Sequence, residues 1–220
     1  RGSWGKARFN GWMFGDYSSN SQVSAIWFDK NSIRYSIPVN TRKPSYTCST
    51  DFDFFTPLSK DGKLQLSVSG GLVINRSVSY QSKGSLDGID LDSFDYTGFM
   101  ENFWGDASGD RFYSGQSGFQ ESLTLTLRTG LSTALTLNLE RFSVQLAPAV
   151  NNSRSRYSLD SRANTNYWET FLNIRPSYTS PHEFEFQSDF SYVILRGYGS
   201  GYDDDYVRWN LSVGKNIKSF

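Results

Sequence analysis

The sequence is short of the residues on which most site chemistry depends. Of 220 residues one is cysteine, Cys48, and one is histidine, His182. No intrachain disulfide can form, and neither a multi-cysteine nor a histidine-rich metal site can be built. Lys plus Arg and Asp plus Glu number 22 each, which leaves no basic field to hold nucleic acid or an anionic membrane surface. No run of about 18 apolar residues is present, so no transmembrane helix is expected. No leader peptide opens the chain, which therefore reads as mature or trimmed, with Arg1-Gly2-Ser3 fitting an expression remnant equally well. GxSxG is absent, and His182 sits in a proline turn without a paired nucleophile. Glu183 and Glu185 stand two apart on one strand rather than across a cleft, unlike glycosidase carboxylates. The expectation is a protein that is not an enzyme, with no cofactor and no metal.

What the sequence does have is aromatics in a polar chain. Tyr, Phe and Trp number 13, 17 and 6, yet mean hydropathy is −0.50. That combination suits a barrel whose apolar residues face lipid singly, between polar neighbours facing a wet interior. The ordering is at period two, which puts alternate residues of a strand on opposite faces. Leu123, Leu125, Leu127, Leu131, Leu135, Leu137 and Leu139 share one parity, and Ser122, Thr124, Thr126, Arg128, Gly130, Ser132, Ala134, Thr136 and Asn138 the other. Similar alternation runs through 64–74, 142–151, 183–194 and 207–214.

Turn-forming segments divide these runs. Short ones fall at 57–62, 139–141 and 180–182, and longer ones at 29–32, 80–118, 160–164 and 199–204. Short periplasmic turns alternating with long external loops mark an up-and-down membrane barrel. The prediction is all-β: one antiparallel transmembrane barrel domain over 1–220, with strands near 6–29, 33–57, 63–79, 119–139, 142–158, 165–179, 183–198 and 205–218. Eight such strands either close as a small barrel or form part of a larger one. Small residues on the inner face suit a wide lumen better than a closed eight-stranded barrel filled by side chains.

Aromatics near strand ends, among them Trp12, Tyr46, Phe54, Phe142, Trp168, Tyr178, Phe184 and Trp209, are placed as an interfacial girdle requires. Cys48 shares the parity of Tyr46 and Phe54 and is expected to face lipid. Parity assigns Asp51, Asp53, Arg128, Arg175, Glu183, Glu185, Asp189 and Arg208 to the lumen, where they either line a polar passage or pair across strands. In the external loop 80–118, the residues Asp90, Asp92, Tyr96, Phe103, Trp104, Asp106 and Tyr113 mix carboxylates with rings. Such a mixture can stack on sugars or offer oxygen ligands, or merely cover the mouth of the barrel.

Three segments carry a family resemblance: Ile33-Arg34-Tyr35-Ser36-Ile37-Pro38-Val39-Asn40, Thr56-Pro57-Leu58-Ser59-Lys60-Asp61-Gly62-Lys63, and Asp205-Tyr206-Val207-Arg208-Trp209-Asn210-Leu211-Ser212-Val213-Gly214-Lys215. In these the chain resembles the barrel of TonB-dependent outer-membrane receptors of the Bacteroidetes type. The resemblance implies a bacterial outer-membrane transporter barrel for solute uptake, with outer-membrane lipid as its surroundings and a plug domain or further barrel strands as partners. The chain departs from that plan in having about eight strands, no plug and no segment for the energy-coupling partner, and Phe220 is expected not to be a natural terminus. Two other readings remain: an engineered or minimal eight-stranded scaffold without ligand, and a secreted glycan-binding β-sandwich.

Overall fold

In a computed structural model of the chain, the period-two segments form strands of a single sheet. The structure describes residues 2–4, 6–28, 31–85, 95–97, 119–198 and 201–215. Eleven strands are present among the described residues: β1 Gly2–Trp4, β2 Ala7–Ser18, β3 Gln22–Phe28, β4 Arg34–Asn40, β5 Ser45–Pro57, β6 Leu64–Ser85, β7 Phe119–Asn138, β8 Phe142–Tyr157, β9 Thr165–Thr179, β10 Phe184–Arg196 and β11 Asp205–Lys215. They pair in the order β1-β2-β5-β6-β7-β8-β9-β10-β11, with β3 and β4 off this path. The fold is all-β, one sheet whose neighbouring strands are antiparallel except where β3 meets β6.

The register turns sequence parity into two faces. Leu135 stands opposite Leu66 and Leu146, and Leu131 opposite Val150. One position on, Ser132 stands opposite Ser69 and Ala149. The short turns 58–63, 139–141 and 180–183 lie at one end of the ladder, and the connections 158–164 and 197–204 at the other. In the first turn Gly62 takes φ 73°, and Ser59 Oγ donates to Asp61 Oδ1 at 2.6 Å. That bond, with those from Lys63, holds the Asp61 carboxyl down at about 2.

The chain departs from the expected strands at its beginning. The predicted strands 6–29 and 33–57 are each broken, into β2 and β3 and into β4 and β5. Ser18 faces Ser45 and Gln22 faces Asn40, so residues 19–21 oppose the longer segment 41–44. An extra residue on one side is a bulge, which bends the ribbon and tightens its twist. Pro44 falls in it and has no N–H to give a ladder. The kink is held by Thr41 N–H donating to Ser21 O at 2.8 Å and Ser21 N–H donating to Thr41 Oγ1 at 3.0 Å. On the short-turn side β5 lies beside β6; beyond the kink β3 does, in parallel, with Ala25 next to Tyr80. The hairpin has therefore turned over, in line with the inherent twist of two-stranded ribbons.

This overturned hairpin makes the one large hydrophobic cluster among the described residues: Ala25, Trp27, Ile37, Val39, Val78, Tyr80 and Phe119. Trp27 stacks on Tyr35 with centroids 5.6 Å apart and meets Phe119 edge-on at 6.0 Å. Burial of the Tyr80 phenol raises its pKa to about 12. An ion pair from Lys43 to Glu121 ties the kink to β7. Because β6 continues to Ser85, with Tyr80 opposite Glu121, the connection to β7 begins at 86 and not at 80. Among the described residues β4 pairs only with β3, and the carbonyl of Pro38 accepts a hydrogen bond from Tyr96 Oη at 3.3 Å.

Hydrogen bonds among the described residues do not close the sheet on itself. Among the described residues β11 pairs only with β10, and the outer edge of β2 meets only the three-residue β1. Eight strands, β2 and β5–β11, run through the ladder as counted from the sequence, without forming an eight-stranded closed barrel.

Candidate functional site

Strand pairing gathers a row of residues across six strands on the polar face: Trp12, Asp51, Gly71, Gly130, Asn151 and Glu169. At its centre two glycines stand side by side, and the neighbouring side chains fill the space they leave. The Asp51 carboxylate lies over Gly71 where a Cβ would meet it, and Asn151 Oδ1 lies 2.8 Å from the place of a Gly130 Cβ. On the opposite face the Phe52 ring covers Gly70, 2.8 Å from the place of its Cβ, a packing known to support glycine in sheets.

The result is a concave site of about 830 Å³ with a low floor of glycine and serine. Asp51, Asp53, Glu169, Arg128, Trp12 and Tyr167 contribute to its lining. The one basic and three acidic groups give it a net negative charge. Ser153 is only 8% exposed there. Glu169 accepts a hydrogen bond from Tyr198 Oη at 2.6 Å, and Tyr198 packs on Tyr167 with centroids 4.4 Å apart. Burial and the Glu169 carboxylate hold the Tyr198 phenol above its ordinary value.

A second hollow of about 370 Å³ lies toward the short turns, between β7 and β11, lined in part by Gln145, Arg175, Asp189 and Asn210. Arg175 Nε stands 3.4 Å from Asp189 Oδ2. Nearby Ser191, 1% exposed, donates to Asn173 Oδ1 at 2.6 Å, and Arg208 follows in the same row. Gln187 donates to Glu185. Of the charges expected in the lumen, Asp51, Asp53, Arg128, Arg175, Glu185, Asp189 and Arg208 all share this face. Among the described residues only Arg175 and Asp189 of that set form an ion pair. Glu183 is not in a strand: it closes the β9–β10 turn at φ 65°.

The expected girdle divides in the same way. Tyr46, Phe54, Phe142, Trp168, Tyr178, Phe184 and Trp209 fall in the apolar rows, for example Phe142 with Tyr178 and Phe186, and Phe54 with Val68. Cys48 joins them opposite Ile74. Trp209 sits mid-strand, its indole N–H donating to Ser188 Oγ at 2.8 Å. Trp12 does not belong to the girdle, because its partner across the ladder is Asp51. Apolar residues on both parities of Trp12-Met13-Phe14 conceal this in the sequence.

Glu169 and Tyr167, not among the expected lumen residues, carry a signal in the sequence, since they share the parity of Arg175 along β9. Of the external-loop candidates Tyr96 alone is described, bonded to Pro38; Asp90, Asp92, Phe103, Trp104, Asp106 and Tyr113 lie outside the described residues. Among the described residues no three potential metal ligands of the His, Cys, Asp and Glu types come together. No protein-family model, curated protein or solved structure matches the chain.

Proposed function

We propose that this sheet is part of the lipid-facing wall of an outer-membrane β-barrel, with the concave polar face lining a passage for solutes. The observation that carries the reading is an inversion of ordinary burial. Ser191 and Ser153 are nearly inaccessible on the polar face, while Leu131 and Leu135 on the other are 46% and 39% exposed. A water-soluble sheet buries its apolar face; a membrane wall turns it outward.

The open edges favour a wide barrel over a closed eight-stranded scaffold. An unpaired strand edge in hydrocarbon costs several kcal/mol per polar group, so β2 and β11 call for further strands, from this polypeptide or another. The resemblance to TonB-dependent receptors agrees with such a width and supplies the uptake role.

Adjacent positions on β7 test the wall. In a Cys48→Ser background, Ser132→Cys is expected to react with a water-soluble maleimide, and Leu131→Cys to be shielded once the chain is in lipid vesicles. Equal labelling of both would refute the membrane wall. For the passage, Arg128→Ala is expected to shift the ion preference of a chain that conducts in planar bilayers; unchanged preference removes the passage and leaves the wall.

A further inference from the structure

Charge balance over the whole chain hides a local excess on the outward face. Arg76 and Arg156 flank Leu125 in one cross-strand row, and Arg154 stands beside Leu127 in the next. Strand spacing sets Arg76 and Arg156 about 10 Å apart across β7, and Arg154 about 7 Å from Arg156 along β8. Arg154 and Arg156 are exposed and Arg76 is half-buried. The rest of these rows, Tyr46, Cys48, Ile74 and Asn166, contains no carboxylate. Among the described residues none of the three arginines takes part in an ion pair.

The place is as telling as the charge. These rows lie toward the long-loop end of β6–β8, and the following outward rows toward the short turns carry the exposed Met13, Trp168 and Leu131. The arginines therefore border the apolar band at the height where acyl chains give way to headgroups. Guanidinium stems can lie along apolar surface while the heads reach a polar layer, and the planar fork binds phosphate oxygens two at a time.

We propose that Arg76, Arg154 and Arg156 form a site for the phosphate of an anionic lipid headgroup in the leaflet beside the long loops. The proposal rests on the membrane-wall reading. Its occupant is a lipid and not free phosphate, because the site opens sideways onto the apolar band rather than into the concave face.

The test uses the full chain in phosphatidylcholine vesicles containing a trace of spin-labelled phosphatidic acid or spin-labelled phosphatidylcholine. The fraction of each probe immobilised by protein is read from its spectrum. Phosphatidic acid is expected to be favoured by at least about fivefold, the effect of one basic residue near an anionic lipid surface. The combined Arg76→Gln, Arg154→Gln and Arg156→Gln variant should lose that preference. The corresponding triple Arg→Lys variant should keep most of it, and Arg141→Gln, in a short turn at the other end, should keep all of it. A chain that inserts with no preference, or a preference that survives the triple Gln change, overturns the lipid site alone. Abolition by inorganic phosphate in the buffer assigns the arginines to a soluble anion and also overturns it. Failure to enter any vesicle overturns the wall reading together with this one.

Discussion

The hairpin β3–β4 and the strands β10–β11 are built from the same alternation of apolar and polar residues, yet they treat their apolar side chains in opposite ways. In the hairpin Ala25, Trp27, Ile37 and Val39 are buried against Val78, Tyr80 and Phe119. On β11 Val207, Trp209, Leu211 and Val213 are each more than half exposed. Period-two patterning states that a strand has an apolar face; it does not state whether protein or lipid will cover it. The kink at 19–21 and 41–44 decides this for the hairpin, by turning the ribbon over so that its apolar face joins the cluster on β6 and β7.

Truncating a tryptophan in each region should separate the two most widely. Trp27→Ala removes a ring packed on two others and is expected to cost about 3–5 kcal/mol, read as denaturant unfolding and as protease cutting within 19–44. Trp209→Ala, with its indole largely open, should leave the detergent-solubilised protein nearly unchanged. Comparable losses from both would erase the distinction.

Leu211→Arg probes the wall from the other side. On a lipid face the charge should cost about 2–4 kcal/mol near the middle of the bilayer, seen as reduced insertion into vesicles with unaltered solubility in detergent. If insertion is undisturbed, β11 does not face hydrocarbon.

Alkaline titration should loosen the hairpin. Tyr80 has its pKa raised from 10.0 to about 12 by burial, so folding is favoured fully below about pH 10, and that contribution is lost as pH rises through about 12. Protease sensitivity of 19–44 should increase over that window in the parent chain and shift in Tyr80→Phe. Identical profiles would detach the hairpin's stability from the phenol.

The smallest effect belongs to the 58–63 turn. The pKa of Asp61 is lowered from 3.8 to about 2, so its contribution is present above about pH 4 and fades as pH falls toward 2. This exposed group should give a slight difference between the parent and Asp61→Asn at neutral pH, measured by thermal unfolding in detergent, that vanishes as pH falls toward 2. A difference that persists at pH 2 would mean the turn relies on more than the carboxylate.

Much of the main ladder was legible because side-chain parity needs no tertiary information. The Leu and Thr/Ser faces of β7, the eight through-strands and the sidedness of Asp51, Arg128, Arg175 and Arg208 all follow from counting by two. The kink was not legible, since the apolar parity of Val23, Ala25 and Trp27 is the one a membrane strand also shows, and only pairing with β6 distinguishes it. Register was the other missing quantity. Gly71 and Gly130 are far apart in sequence and become one floor only through their alignment, which also recruits Trp12 and Glu169. The three outward arginines were masked by the balanced overall charge and converge through the same alignment.

Pro38 marks where the molecule guards itself and where it does not. Outside the ladder, β4 contains a residue without an N–H whose carbonyl is taken by Tyr96, so a strand from a neighbouring molecule finds no continuous template there. β2 and β11 carry no proline at all. Chains with such edges should not polymerise through the β3–β4 hairpin, whereas β2 and β11 keep the backbone groups that another strand could pair with.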